Sequence, residues 1–159
     1  MEARTVQKSK VVMTQLVLPS HTNSLGSLFG GTLMSWIDIA AAISAQRHSS
    51  RPVVTASIDD VHFIAPVFHG WVVNIEAQVN YVGKTSMEVG VHVVAENPIT
   101  SEKFYTTKAF CTFVALDDHG QPMGAPPLVL ESEEDKRRHD EAQQRRKWRL
   151  ERKEQFVKK

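Results

Sequence analysis

The chain has 159 residues, 42% of them hydrophobic and 23% charged, with 19 basic against 18 acidic side chains. That length suits one domain able to bury a core without staples, and the single cysteine, Cys111, excludes an internal disulfide framework and fits a reducing, cytoplasmic setting. Met1–Lys10 lacks the apolar core of a secretory signal, and nowhere do about 18 apolar residues run together, so no membrane-spanning helix is expected.

In chain order, residues 1–10 read as a flexible lead-in. Val11–Leu18 is a mostly apolar strand ending at Pro19, and His21–Phe29 is a loop of small and polar residues. Gly30-Gly31-Thr32 then opens a helix to about Gln46 in which Asp38 is the sole ionisable residue. Leu33, Trp36, Ile37, Ile39, Ala40, Ala41 and Ile43 are among the residues that leave it almost no polar face. Such a helix is buried or wrapped by other elements.

Strands follow. Val53–Phe63 is β-rich and stops near Pro66. Trp71, Val73, Ile75, Ala77, Val79 and Tyr81 alternate with more polar neighbours, which puts one face in a core. Met87, Val89, Val91, Val93 and Ala95 continue the pattern after a turn near Gly83-Lys84, and Phe104–Leu116 supplies another strand. Short turns between long strands imply antiparallel pairing, because parallel crossovers need more chain. One strand, one apolar helix and four further strands predict an α+β domain over residues 11–130, its sheet curved around the helix.

The near-neutral total charge hides an uneven distribution. From Lys136 onward there are 11 basic and 4 acidic residues, or +7 over 24 residues. Residues 131–159 therefore form a basic extension, and its lack of Gly and Pro predicts a helix from about Ser132 to Phe156, with Lys158 and Lys159 suiting its end. A solvated charged helix is the plain reading. Arg145, Arg146, Lys147 and Arg149 around Trp148 also suit a phosphate-bearing ligand. A basic helix alone is a weak signal for nucleic acid, and no nucleic-acid partner is expected.

Asp38 is the most informative residue. A carboxylate in so apolar a helix needs a partner or a function, and it suits a general base lodged in a pocket. A structural Asp bonded to a neighbour is the alternative. Asn23 lies in the loop just before the helix, where Asn is also a common turn residue. Gly30 and Gly31 leave backbone N–H groups bare at the positive end of the helix dipole, which suits a developing oxyanion or simply starts a helix. Asp38 sits seven or eight residues beyond them, roughly 11 Å along the axis at about 1.5 Å per residue. A base and an oxyanion donor must both lie about 3 Å from one reacting centre, so a site shared by two chains is expected.

Other motifs fail. Val82-Gly83-Lys84-Thr85-Ser86 has Gln78 where a phosphate-binding loop needs glycine. The seven histidines show no metal-ligand spacing, and Asp59-Asp60 reads as a structural acidic pair.

His21-Thr22-Asn23-Ser24-Leu25-Gly26, Phe29-Gly30-Gly31-Thr32-Leu33-Met34-Ser35-Trp36-Ile37-Asp38, Val54-Thr55-Ala56-Ser57-Ile58-Asp59-Asp60 and Thr85-Ser86-Met87-Glu88-Val89 together resemble the acyl-coenzyme A (acyl-CoA) thioesterases of the hotdog superfamily. The tail Arg145-Arg146-Lys147-Trp148-Arg149-Leu150 also resembles the helix that follows the domain in that family. The resemblance implies hydrolysis of fatty acyl-CoA to free acid and coenzyme A (CoA), in a single-hotdog-domain chain. It implies Asp38 as general base or as direct nucleophile, Asn23 as the group orienting water or carbonyl, and backbone N–H near Gly30 and Gly31 for the oxyanion. Ala56, Ser57, Ile58, Thr85, Ser86 and Met87 would line the CoA groove. Lys147, helped by Arg145 or Arg146, would meet its phosphates. It further implies a homodimer as working unit, commonly assembled as a trimer of dimers. Because thiolate is a good leaving group, no metal or other cofactor is expected. A hotdog hydratase or dehydratase and a non-catalytic acyl-CoA binder are the alternative readings.

Overall fold

The computed structural model describes residues 1–158; Lys159, expected at the end of the basic helix, lies outside them. Its elements are strand β1 (Arg4–Thr5), helix α1 (Val6–Ser9), strand β2 (Val11–Leu16), a 3₁₀ turn (Pro19–His21), helix α2 (Gly30–Ser49), strands β3 (Val53–Ile58), β4 (Val72–Val82), β5 (Ser86–Glu96), β6 (Lys103–Leu116), β7 (Pro122–Met123) and β8 (Leu128–Val129), and helix α3 (Glu133–Val157).

The main sheet runs β2-β4-β5-β6-β3 with every pairing antiparallel, and β7 adds to β6. This is the α+β hotdog architecture expected. The alternating residues decide which face is inside: Val73, Ile75 and Val79 of β4, Met87, Val89, Val91 and Val93 of β5, and Cys111 and Phe113 of β6 are all buried. They close on Leu33, Trp36, Ile37, Ala40, Ala41 and Ala45 of α2. Ile37 is fully buried where the helix crosses the sheet, and burying such a side chain contributes about 1.5–3 kcal/mol.

The opposite sheet face carries α3. Asn80 and Glu88 point to it from β4 and β5 and hydrogen-bond each other at 3.1 Å, both buried. Gly90 makes room for that pair, since a Cβ there would lie 2.5 Å from Asn80 Nδ2. On the helix, Ala142 is fully buried, and Ser132 caps its start by accepting from the Asp135 N–H at 3.0 Å.

Two expectations need correction. The first ten residues are ordered against the domain: β1 pairs in parallel with β8, and Val6 and Ser9 are buried. Arg4 donates to the His48 carbonyl at 2.6 Å, and Ser9 Oγ accepts the Val79 N–H at 2.9 Å, where the β4 ladder is irregular. A polar sequence hid this clasp because its anchors include main-chain pairing, the Arg4 guanidinium and the Ser9 hydroxyl. The strand expected over Val53–Phe63 ends at Ile58, after which Asp59 turns toward α3.

Candidate active site

The loop before α2 is built by short-range bonds. Asn23 Oδ1 accepts from the N–H of Leu25 at 2.9 Å and of Ser27 at 3.2 Å, and its Nδ2 donates to Ser27 Oγ at 3.0 Å. Gly26, at φ 78°, supplies the left-handed residue that folds the loop back. His21 accepts from the Leu18 N–H at 3.0 Å and meets the Trp36 ring edge-on at 5.1 Å. Asn23 is thus an exposed turn-former in one chain, and no hydrogen bond links it to Asp38 among the described residues.

The start of α2 has no side-chain cap, because Phe29 occupies the capping position. The N–H groups of the first turn are therefore free to meet an incoming oxygen. Gly30 lines a cavity of about 320 Å³ with Ser27, Leu28, Leu33, Phe63, Ile64, Ala65, Pro66, Val67 and Thr106. Seven of these ten residues are apolar, and polar main-chain and hydroxyl atoms share the exposed wall with them.

Asp38 departs from expectation. It is half-buried rather than enclosed, on a strip of α2 with Gly31, Ser35 and Ile39, the last three exposed. The chain's own sheet covers only part of the helix circumference. Thr55 Oγ1, on edge strand β3, donates to Asp38 Oδ1 at 2.7 Å. The next two residues of β3, Ala56 and Ser57, face a different space: a groove of about 430 Å³ they line with Thr85, Ser86, Thr112, Val114, Arg146, Arg149, Leu150 and Lys153. One strand thus connects the carboxylate to the groove.

The predicted groove residues divide. Ala56, Ser57, Thr85, Ser86 and Arg146 line it. Ile58 is half-buried beside the core and Met87 is fully buried within it. Lys147 is exposed and is not among the lining residues, and Arg145 is engaged by Glu88 at 2.8 and 2.9 Å. Leu150 and Lys153 line the groove without having been expected; their spacing from Arg146, at i+4 and i+7, is the helical signal that marks them. Thr55 was quoted only within a motif. Its role depends on strand-to-helix packing, which spacing cannot reveal. Among the described residues no cluster of His, Cys, Asp or Glu could hold a metal.

A model of the thioesterase superfamily matches residues 25–102. The Bacillus subtilis (strain 168) protein named uncharacterized acyl-CoA thioester hydrolase YkhA is 46% identical over 144 residues, spanning 91% of this chain and 84% of that one. This chain belongs to the acyl-CoA thioesterase family. An apo-hexameric acyl-CoA thioesterase superposes on this family member with a TM-score of 0.92 at 40% identity, covering 96% of this chain and 97% of that one. A Staphylococcus aureus acyl-CoA hydrolase solved with butyryl-CoA, CoA and CoA disulfide gives a TM-score of 0.88 at 36% identity, covering 98% and 97%. Variants of that enzyme with an aspartate, an asparagine or a threonine changed to alanine have also been solved. Those are the residue types of Asp38, Asn23 and Thr55 in the thioesterase described here.

Proposed function

We propose that this protein hydrolyses fatty acyl-CoA thioesters to free acid and CoA at sites shared between two subunits. The observation that carries this reading is Asp38, held by Thr55 on the strip of α2 that the chain's own sheet leaves uncovered. β3 is an edge strand, so a second copy pairing beside it would cover that strip and bring its own helix start toward Asp38. A dimer arranged in this way has two equivalent sites, each taking Asp38 from one chain and Asn23 with the Gly30 and Gly31 N–H groups from the other. Three such dimers would make a hexamer, the assembly named for one structural relative.

In the reaction, the Asp38 carboxylate takes a proton from water as its oxygen attacks the thioester carbonyl. The N–H groups at the helix start stabilise the tetrahedral oxyanion, and Asn23 orients the water or the carbonyl. Collapse breaks the carbon–sulfur bond, and the CoA thiolate leaves and takes up the proton. No cofactor is required by these steps. The acyl chain lies against the apolar cavity beside Gly30, while Arg146 and Lys153 meet the CoA phosphates. The buried, unpaired cysteine suits a cytoplasmic setting.

A thiol-release assay with butyryl-, octanoyl-, lauroyl- and palmitoyl-CoA tests the proposal. CoA release by the wild-type protein and its loss in Asp38→Ala are expected. Full activity in the variant would overturn the mechanism, and no release from any substrate would overturn the activity.

A further inference from the structure

One buried carboxylate has no part in the chemistry above. Glu88 is 2% exposed on the sheet face that carries α3, and both its oxygens are occupied. Oε1 accepts from Arg145 Nε at 2.8 Å and from Arg149 Nη2 at 2.9 Å; Oε2 accepts from Arg145 Nη2 at 2.9 Å and from Asn80 Nδ2 at 3.1 Å. Arg149 also grips Asp59 through two bonds of 2.8 Å, and Arg152 reaches Asp60 at 3.4 Å. The Arg145 guanidinium lies 3.6 Å above the Phe110 ring. Two forked arginines in a partly dry setting form a directional joint, which a point charge could not.

The spacing of this joint matters. Arg145, Arg149 and Arg152 stand at i, i+4 and i+7, one stripe of α3. Arg149 also borders the groove, and the other helix residues that line it, Arg146, Leu150 and Lys153, stand one residue later throughout, on the adjacent stripe. Successive helix residues are about 100° apart, so whatever fixes the first stripe fixes the second. The sheet repeats the arrangement: Ser86 lines the groove and Glu88, two residues on, anchors the helix from the same face of β5, while Ser57 lines the groove from β3 and Asp59, just past the end of that strand, anchors the helix.

We infer that Glu88 is a positioning residue, which locks the rotation of α3 so that Arg146 and Lys153 face the groove and recognise the phosphate-bearing end of a CoA thioester. The inference rests on the acyl-CoA reading and adds where nucleotide recognition is controlled. Glu88 itself touches no substrate. Its removal releases Arg145 from the sheet and leaves Arg149 held by Asp59 alone, which loosens the helix against rotation.

The test compares Glu88→Gln with wild type on the best acyl-CoA of the panel and on the matching S-acyl pantetheine, which lacks the nucleotide and its phosphates. For the CoA ester, KM rises about tenfold, the equivalent of losing one or two charge-assisted contacts. For the pantetheine ester, kcat/KM changes less than twofold. Asp59→Asn, which weakens the outer half of the same joint, shows the same selectivity to a smaller degree and keeps the test open if Glu88→Gln does not fold. Equal losses on both esters, or none on either, in a folded variant overturn the inference. Failure of the wild-type protein to hydrolyse any CoA ester would instead count against the function on which it rests.

Discussion

Thr55 and Asp38 meet at 2.7 Å, the hydroxyl of an edge strand donating to the carboxylate of the helix beside it. The bond holds one oxygen in place and leaves the other free to receive a proton. Asp38→Ala is expected to lower kcat by at least about a hundredfold, the usual contribution of a general base. Thr55→Val, which keeps the shape and removes the donor, is expected to lower kcat roughly tenfold with a smaller change in KM. Steady-state thiol release measures both, and an unchanged Thr55→Val would show that the carboxylate needs no such support.

Shared sites have a distinctive genetic signature. Asn23→Ala and Asp38→Ala are each expected to be nearly inactive as pure proteins. Mixed and allowed to exchange subunits, they form hybrid dimers in which one site carries both lesions and the other carries neither. Activity returns with the hybrid fraction. No recovery in hybrids isolated with two different affinity tags would mean that each chain works alone.

The groove cations separate the residues of α3 by direction. Arg146→Ala and Lys153→Ala are each expected to raise KM for acyl-CoA several-fold, roughly three to ten, and to weaken inhibition by CoA. Lys147→Ala, on an exposed position outside the groove lining, is expected to change KM less than about twofold. A dominant effect of Lys147 would place the phosphates elsewhere on the helix.

His48 gives a pH dependence whose sign follows from its bonds. Its Nε2 lies 2.7 Å from the Pro126 carbonyl and so carries the hydrogen, while Nδ1 is buried with no hydrogen-bond partner among the described residues. Burial holds its pKa below the ordinary 6.5, with the charges of Arg4 and Lys8 adding in that direction against the raising effect of the Pro126 bond. Stability from this group is complete above the unfolded value and falls as pH drops from about 6.5 toward the lowered folded pKa, because the unfolded chain binds the proton first. Melting curves from pH 7.5 to about 5 should show this loss, with a smaller slope in His48→Gln. His92, lowered by burial and then by Lys108 and Arg138, acts in the same direction, so the slope shrinks without vanishing.

The parts of the fold legible in the sequence were those written in periodicity. Val73 to Val79 and Met87 to Ala95 mark their strands by alternation, and α2 announces itself by an apolar run too long for a strand. Glycine positions and the lone Asp38 mark the candidate site. What could not be read depended on partners distant in the chain. Nothing in the Met1–Lys10 stretch signals that Arg4 will bond His48 or that Ser9 will fill a gap in β4. The resemblance of the basic tail could not tell which arginines face the sheet, because that depends on Glu88 and Asp59, some 57 to 90 positions away. Enclosure of Asp38 was overestimated for a related reason: an apolar helix shows that it will be covered, not by which chain.

The sole cysteine has a bearing on chemistry that it does not perform. Cys111 is fully buried in β6, and desolvation, with Asp38, Asp59 and Glu88 adding, pushes its thiol pKa up to about 12. Only thiolate exchanges with disulfides, so at neutral pH this sulfur is inert. A hydrolase whose product is itself a free thiol therefore works amid CoA and its oxidised forms without becoming covalently capped by them, and any thiol that appears during turnover of the native protein comes from substrate.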